Sequence, residues 1–393
     1  MEKKKKAFPL VLLLLLLSVP SSAAKEAAPA MMSLDECIER ALAGHPDLAA
    51  GRADMAASEA RTGQIRAGYS PSMSFSSGFS ERSSPGSGSS EGSWSSGLTL
   101  SQVVSDWGRT HISLRRSLLD AEGKALALEA KRSDIIFEVT RSYYQVLKTM
   151  KNLEVAEESL ALNDERLGQA EAFFEVGRVS KYDVTAARVS RSNASLALVQ
   201  AGTALKEAMT SLKAAIGSPG MPDFSLAEVA DGQGSLPPTS LPLLEVALDY
   251  ALGNRPDLEI YRVNLASAEA AATLAGLDNA PKLDLSAGYG WGSTDFWGQD
   301  SWRAGLTLSF HLFDGGLRRE KIREAGANVE GAEARLESYR QQVMKDVTNA
   351  WLAASDSAEV EAAAAEGLKM ASENLEIATG RYRTGVGSPL EVS

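Results

Sequence analysis

The sequence predicts a mainly α-helical protein that also contains transmembrane β-strands and is built as two copies of one unit. Three observations predict this fold class. The segment "ALAGHPDL" at residues 41–48 returns as "ALGNRPDL" at residues 251–258. In each copy two runs of alternating apolar and polar residues follow, and a long proline-free stretch with a seven-residue apolar period comes next. Each unit therefore consists of a helix, two strands and a long helical hairpin.

The amino terminus has the pattern of a secretory signal peptide. A basic run at Lys3–Lys6 precedes an apolar core at Leu10–Leu17 and small residues near Ala24, so residues 1–24 are expected to be cleaved. The apolar core is too short for a bilayer span, which takes about 20 residues. The single cysteine, Cys37, can form no internal disulfide, and we interpret it as a small buried apolar side chain. A net charge of −11 excludes non-specific nucleic-acid binding.

The two copies are predicted at residues 33–217 and 243–393, with a linker at residues 218–242 between them. The linker contains Gly and Pro at a density that disfavours regular structure. Each copy begins with a helix that is interrupted at a proline, Pro46 or Pro256. Proline is tolerated in the first turn of a helix but not in its interior, so each proline marks the start of a second helix.

The strands are predicted at residues 72–81 and 93–104 in the first copy, and at 282–291 and 302–312 in the second. Alternation over about 9–11 residues fits strands that cross an outer membrane, although a soluble sheet with one face on a core gives the same pattern. Polar Gly/Ser-rich hairpin loops and aromatic residues near one end of the strands favour the membrane. The predicted membrane-interface aromatics are Trp94, Tyr289, Trp291, Trp297 and Trp302.

The long helical hairpin of the first copy is predicted at residues 107–217, with its tip near residue 177. The first helix alone would be roughly 100 Å long at a rise of 1.5 Å per residue. Its apolar seam has small or polar residues midway between the large ones, which suits a wall of several helices better than a two-stranded rod. The seam residues are Val139, Val146, Leu153, Leu160, Leu167 and Phe174.

The hairpin tips share one pattern in both copies. Gly177 follows the last helical residue and is expected to adopt the left-handed cap conformation. Ser180 then caps the next helix, and Asp183 lies in its first turn, where a carboxylate complements the helix dipole. The corresponding residues of the second copy are Gly385, Ser388 and Glu391.

The duplication also leads to an expectation about the carboxyl end of the sequence. The helix after the first tip begins near residue 181 and continues to residue 216, whereas its counterpart begins at Pro389 and reaches only Ser393. We therefore expect the natural chain to continue with a further amphipathic helix.

The order of these elements, the segment "LFDGG" at residues 312–316 and the tip pattern resemble the TolC-like outer-membrane efflux protein family. The resemblance extends from about Ser33 to the last residue. It implies that three chains each contribute four strands to one 12-stranded outer-membrane β-barrel, continued by a long α-helical periplasmic barrel. The sequence supports oligomerisation independently, because four strands cannot close a barrel and about eight is the practical minimum.

The resemblance further implies the function of a passive trimeric duct in a tripartite efflux or type I secretion system. Its partners would be a periplasmic adaptor (membrane fusion) protein, an inner-membrane pump of the RND, ABC or MFS type, and outer-membrane lipid. The location would be the outer membrane of a Gram-negative-type bacterium, with a large periplasmic portion. The implied adaptor-contact residues are Val176, Gly177, Arg178, Val179, Ser180, Thr384, Gly385, Val386, Gly387 and Ser388.

A pore constriction is expected beside these tips, at Asp183, Tyr382 and Glu391. In some family members an acid on one hairpin and a tyrosine and a basic residue on the other hold the tip closed. Asp183 and Tyr382 match the first two. Gly387 stands at the basic position, which leaves Arg178 or Arg383 as the candidate basic partner.

A second class of protein remains open, a periplasmic coiled-coil adaptor or scaffold without membrane-spanning strands. It would explain the helices and the signal peptide but not a β-hairpin that occurs twice. Enzyme chemistry is not indicated, because the sequence contains neither a phosphate-binding glycine loop nor a nucleophile elbow. His45, His111 and His311 are scattered, without partners at metal-ligand spacing. We predict a non-enzymatic protein with no metal and no cofactor.

Overall fold

The computed structural model describes residues 31–83, 90–222, 224–227, 241–293 and 299–383. The described residues are mainly helical, and the elements of the two copies follow one another in the same order. The first part of the chain contains β1 (Met31–Met32), α1 (Leu34–Gly44), α2 (Pro46–Ala67), β2 (Ser72–Ser83), β3 (Ser90–Ser105), α3 (Arg109–Glu175) and α4 (Lys181–Ala215). The second part contains β4 (Ser225–Leu226), α5 (Leu244–Asn254), α6 (Pro256–Gly276), β5 (Lys282–Ser293), β6 (Gln299–Ser309) and α7 (Leu317–Arg383).

The prolines divide the first helix of each copy as the sequence predicts. α2 begins at Pro46 and α6 begins at Pro256, each directly after a single extended residue. At the first break, His45 Nδ1 accepts a hydrogen bond of 3.1 Å from the backbone N–H of Asp47. The imidazole therefore acts as a helix cap in this structure.

The four longer strands form one antiparallel sheet in the order β2-β3-β5-β6. The two hairpins, one from each copy, join where β3 pairs with β5. β6 ends at Ser309, so the prediction that this strand reaches residue 312 is wrong. The strand ends where its partner begins, because Ser309 pairs with Lys282, the first residue of β5. Farther along, the chain turns through Gly315 and Gly316, which have φ angles of 66° and 93°. Asp314 then accepts hydrogen bonds from the backbone N–H groups of Gly316 and Arg318 at the start of α7.

The helices α3 and α7 are the longest elements, at 67 residues each. This length corresponds to roughly 100 Å. α3 packs along α4, and two ion pairs join them near the tip, Arg188 with Glu171 at 2.7 Å and Arg191 with Asp164 at 2.7 Å. Among the described residues, none of the helices combines the length and the apolar character needed to cross a membrane.

The seven-residue seam of α3 faces other helices over much of its length. Val139 and Val146 are fully buried, whereas Leu153, Leu160 and Leu167 are half-buried. The residues midway between the latter three are also half-buried, so the contact surface alternates large and small side chains. This pattern agrees with the predicted multi-helix packing.

The main core lies where α1, α3 and α4 meet. Cys37, Tyr143 and Leu212 are almost completely buried there, which confirms the interpretation of the cysteine. Burial raises the pKa of the Cys37 thiol to about 11, so the thiol stays protonated and unreactive at neutral pH. The Tyr143 hydroxyl donates a hydrogen bond of 2.7 Å to the carbonyl oxygen of Ala227.

The prediction that residues 218–242 form only an irregular linker is wrong for its first part. β4 pairs in parallel with β1, and Phe224 and Leu226 are buried in the main core. A strand of two residues in a Gly- and Pro-rich stretch carries no periodic signal, so the pattern of the sequence could not indicate it. The pairing fastens the linker to the start of the first copy.

Candidate functional site

One face of the four-stranded sheet is a continuous apolar surface. The strand register places Phe75, Leu98, Tyr289 and Trp302 side by side across all four strands. These side chains are exposed in the single chain, Phe75 by 62% and Trp302 by 79%. A neighbouring row consists of Met73, Leu100, Ala287 and Ala304. An exposed apolar face of this extent is suited to lipid rather than to water.

The opposite face of the sheet is composed of small and polar side chains. Ser74, Thr99, Gly288 and Arg303 lie side by side in register on this face. The rows on either side of them contain almost only serine and glycine, namely Ser76, Gly97, Gly290 and Ser301 in one row and Ser72, Ser101, Ser286 and Gly305 in the other. A polar face of small residues is suited to a water-filled interior.

The aromatic residues predicted for the membrane interface gather on the apolar face near the hairpin loops. The ring centroids of Trp94 and Phe79 are 5.1 Å apart, and those of Tyr289 and Trp291 are 6.0 Å apart. The Tyr289 hydroxyl donates a hydrogen bond of 3.1 Å to Asp300, which directs its polar end toward the loops. Trp297, also predicted for this group, lies outside the described residues.

A second aromatic group, not predicted from the sequence, lies at the other end of the strands, next to the long helices. Its members are all exposed and follow or precede a strand rather than lying within one. They are Tyr69, Trp107, Phe310 and Phe313, with exposed fractions of 48%, 51%, 54% and 89%. Aromatic girdles flank the apolar band of outer-membrane barrels on both sides. The positions of these residues at strand ends were the available signal in the sequence.

Ion pairs join the sheet to the long helices at this junction. Arg109, at the start of α3, contacts Asp278 Oδ1 at 2.9 Å, and Lys321, near the start of α7, contacts Asp278 Oδ2 at 2.6 Å. One carboxylate just before β5 therefore holds the first turns of both long helices. The strands and the helical wall are coupled through this contact.

The tip of the first hairpin has the geometry that its sequence predicts. Gly177 has a φ angle of 73°, which confirms the left-handed cap. Its N–H donates to the carbonyl of Phe174 at 3.0 Å, and the N–H of Arg178 donates to the carbonyl of Phe173 at 2.8 Å. These two bonds form a Schellman motif, which satisfies the last carbonyls of α3.

The start of α4 is capped reciprocally. The Asp183 carboxylate accepts hydrogen bonds from the backbone N–H and the hydroxyl of Ser180, at 2.8 Å and 2.7 Å. The hydrogen bond from the Ser180 side chain is the main cause that holds the pKa of Asp183 below its usual value, so this carboxylate stays ionised at neutral pH. Val176 and Tyr182 flank the turn with exposed fractions of 69% and 80%. Tyr182 was not among the tip residues predicted from the sequence.

The second tip is largely outside the described residues. Tyr382 lies in the last turn of α7 as far as it is described. The other residues predicted for this tip, Thr384, Gly385, Val386, Gly387, Ser388 and Glu391, lie outside the described residues. Within the described ranges, no three residues of the types His, Cys, Asp and Glu lie together in an arrangement that could hold a metal ion.

A duplicated chain with one two-faced antiparallel sheet and roughly 100 Å helices extending from one end of it defines the class of outer-membrane channels with a helical extension. A family model described as outer membrane efflux protein matches residues 37–218 and 247–393. The chain therefore belongs to the outer membrane efflux protein family.

Individual relatives agree with this assignment. The chain is 29% identical to Protein CyaE of Bordetella pertussis over 372 residues, which is 92% of this chain and 77% of CyaE. It is 25% identical to the outer membrane protein TolC of Vibrio cholerae over 243 residues, which is 59% of this chain and 55% of TolC. The crystal structure of the CmeC outer membrane channel of Campylobacter jejuni shares the fold, with a TM-score of 0.78 at 20% identity over 91% of this chain and 78% of CmeC.

The family assignment gives the location and the class of function. The chain is an outer-membrane efflux or secretion channel protein, with a periplasmic portion. The family and the fold are those of channel proteins rather than enzymes. The alternative of a periplasmic adaptor without membrane strands is disfavoured, because the matched family and the shared fold are those of outer-membrane proteins.

Proposed function

We propose that the protein is the outer-membrane component of a tripartite efflux or type I secretion system and acts as a passive trimeric duct. The observation that carries this proposal is the sheet with one apolar and one polar face, formed jointly by the hairpins of both copies. Such a sheet needs lipid on one side and water on the other. A closed barrel satisfies both requirements.

The edges of this sheet support the oligomerisation that the proposal requires. β2 and β6 are its edge strands, and each presents a row of backbone N–H and C=O groups to its surroundings. In lipid each unpaired group costs several kcal/mol, so the edges must pair with other strands. Three copies would give twelve strands, well above the practical minimum of about eight for a closed barrel.

The helices would continue the duct into the periplasm. At roughly 100 Å, α3 and α7 are several times longer than the apolar core of a bilayer, which is about 30 Å thick. Their tips would therefore lie far from the membrane, where a periplasmic adaptor linked to an inner-membrane pump can reach them. The proposed contacts on the first tip are Val176, Gly177, Arg178, Val179 and Ser180, and the proposed contacts on the second are Thr384 to Ser388.

Transport through this duct would be passive, with the energy supplied by the inner-membrane pump. Asp183, Tyr382 and Glu391 are the proposed constriction residues at the periplasmic end. Asp183 supports this role because its lowered pKa keeps it ionised, and a ring of carboxylates attracts cations. The tip is proposed to close through Asp183 and Tyr382, with Arg178 or Arg383 as the basic partner.

Cell fractionation tests the proposal against the periplasmic adaptor or scaffold. We expect the protein to remain in outer-membrane pellets after osmotic shock and after a high-salt wash, because its apolar strand face is embedded in lipid. A soluble periplasmic protein with its own signal peptide serves as the control for release. Recovery of the chain in the shock fluid would contradict the proposal.

A further inference from the structure

The polar face of the sheet carries few charges, and most of them are paired. Among the strand residues whose side chains the structure describes, the charged residues on this face are Lys282, Asp284 and Arg303. Lys282 Nζ lies 2.9 Å from Asp284 Oδ1, so these two charges neutralise each other. Arg303 has no carboxylate partner within the described residues and is the single uncompensated charge among these three.

The surroundings of Arg303 leave its side chain open to the space in front of the sheet. Its neighbours on the same face of β6 are Ser301 and Gly305, and the residue beside it on β5 is Gly288. A Cβ atom placed on Gly288 would lie 3.5 Å from Arg303 Cγ and 3.6 Å from Arg303 Nε, so the arginine stem lies across this glycine. The small neighbours leave room for the guanidinium group to meet a solute.

The position of Arg303 is central along the strand. It is the fifth residue of β6, which runs from Gln299 to Ser309, and it alternates with Trp302 and Ala304 on the apolar face. In the proposed barrel it would face the interior one residue from Trp302, far from the carboxylates of the periplasmic tips. A trimer would carry three such guanidinium groups at one height.

We propose that Arg303 is a selectivity-determining residue whose guanidinium group lines the barrel interior and attracts the anionic groups of permeating solutes. Carboxylate, phosphate and sulfate groups are the chemical class that a guanidinium group binds best. Rings of arginine or lysine give pores a preference for anions, and narrow water-filled passages strengthen the effect of such charges. This inference rests on the proposed duct, and the experiment below separates the failure of one from the failure of the other.

The first arm of the test measures which way the side chain faces. One variant replaces Arg303 with a single cysteine (Arg303→Cys). The matched control replaces Leu306, which lies on the opposite, apolar face of the same strand (Leu306→Cys). The native Cys37 gives little background because it is fully buried and its thiol pKa is raised to about 11. The probe is 2-sulfonatoethyl methanethiosulfonate, a negatively charged thiol reagent, applied to outer-membrane vesicles that contain the protein.

We expect the cysteine at position 303 to react and the cysteine at position 306 to be protected by lipid. If both react at similar rates, the sheet does not lie in a membrane and the proposed duct itself fails. If both are protected, the strands lie in the membrane but Arg303 does not face water, and only the present inference is overturned.

The second arm measures selectivity as reversal potentials in asymmetric KCl across planar bilayers. We expect Arg303→Gln to lower the chloride-to-potassium permeability ratio about two- to fivefold at 0.1 M salt, and much less at 1 M, where the Debye length falls to about 3 Å. Arg303→Lys should keep the ratio of the unmodified protein, since it keeps the charge. The double change Lys282→Gln with Asp284→Asn is the control that leaves the net charge unaltered. An unchanged ratio for Arg303→Gln in conducting channels would overturn the inference.

Discussion

The hydroxyl of Tyr339 lies 2.7 Å from Asp257 Oδ2 and donates a hydrogen bond to it, which ties α7 to the first turn of α6. Arg255 contacts the same carboxylate through Nε and Nη2, at distances of 2.6–3.1 Å. The first copy has a corresponding contact with different chemistry, because Lys131 of α3 lies 3.3 Å from Asp47 at the start of α2. In both copies the Asp of the "PDL" segment fastens the short helix to the long one.

Removal of the Tyr339 hydroxyl should weaken this fastening. We expect Tyr339→Phe to lower the free energy of unfolding by about 1 kcal/mol, since the bond is charge-assisted but partly exposed. Tyr261→Phe is the matched control, because the Tyr261 ring stacks on that of Tyr339 at 4.3 Å while its hydroxyl has no hydrogen-bond partner within the described residues. Denaturant unfolding of the detergent-solubilised protein measures both. Equal losses in the two variants would contradict the assignment.

The same contact predicts a pH dependence. Burial acts to raise the pKa of Asp257, but hydrogen bonds from Arg255 and Tyr339 outweigh it and hold this pKa below its usual value. Burial, followed by the bond to Asp257, raises the pKa of Tyr339 to about 12. The contribution of the Asp257 carboxylate to the free energy of unfolding is therefore complete above its unfolded pKa of about 4 and is lost as the pH falls further. The contribution of the Tyr339 hydroxyl is complete below about pH 10 and is lost as the pH rises toward 12.

Unfolding measured against pH for the unmodified protein and for Tyr339→Phe tests this dependence. The difference in unfolding free energy between the two proteins should be constant from about pH 5 to pH 9 and should shrink below about pH 4 and above about pH 10. A difference that stays constant from acid to alkaline pH would show that the hydroxyl contributes nothing to either titration.

The left-handed conformation of Gly177 makes the tip sensitive to a side chain. We expect Gly177→Val to cost about 1–2 kcal/mol locally, which is the scale of left-handed strain. This strain energy is small compared with the packing energy of α3 on α4, so the oligomer should be retained. Amide hydrogen exchange should increase at the tip, and cross-linking to the proposed adaptor should decrease. Gly168→Val is the matched control, because Gly168 lies within α3, lacks a positive φ angle and has open space around it. Loss of the oligomer in Gly177→Val, with the adaptor still bound, would contradict the role of the tip.

The two faces of the sheet should respond differently to a charge. We expect Phe75→Arg to destabilise the membrane-embedded protein by about 1–3 kcal/mol. An arginine that faces lipid costs about 2–4 kcal/mol at the middle of an outer membrane and less toward the interface, and Phe75 lies in the same row as Tyr289 and Trp302. Ser74→Arg is the matched control on the adjacent strand position, where the side chain meets water and the cost should be small. Urea titration in lipid vesicles measures both variants. Equal sensitivity at the two positions would show that the faces have been assigned wrongly.

Local signals in the sequence predicted much of this structure. Gly177 and Ser180 form their turn through hydrogen bonds to neighbouring residues, so the conformation of the tip can be predicted from a short segment of sequence. The alternation along β6 likewise predicted which side chains share a face with Trp302, because strand periodicity depends on no distant partner. The end of β6 at Ser309 was harder to predict, since the apolar residues that follow it continue the alternation beyond the point where strand pairing stops.

Contacts between distant segments could not be predicted in the same way. The bond between Tyr339 and Asp257 joins residues 82 positions apart in sequence and depends on how two helices pack. The pairing of β1 with β4 joins two-residue strands that show no period at all. The open surroundings of Arg303 also depend on distant segments, because the register places Gly288 of β5 beside it and Thr99 of β3 beyond that glycine.

Oligomeric state and conductance, measured together on the purified protein, test the central claim most directly. The claim is that several copies of this chain enclose one water-filled duct across the outer membrane. We predict a trimer by mass measurement in detergent, and discrete single-channel currents when that trimer is added to planar bilayers, without any added energy source. A protein that remains monomeric, or a trimer that binds bilayers without conducting ions even after its tips are opened by substitution of Asp183 and Tyr382, would contradict the claim.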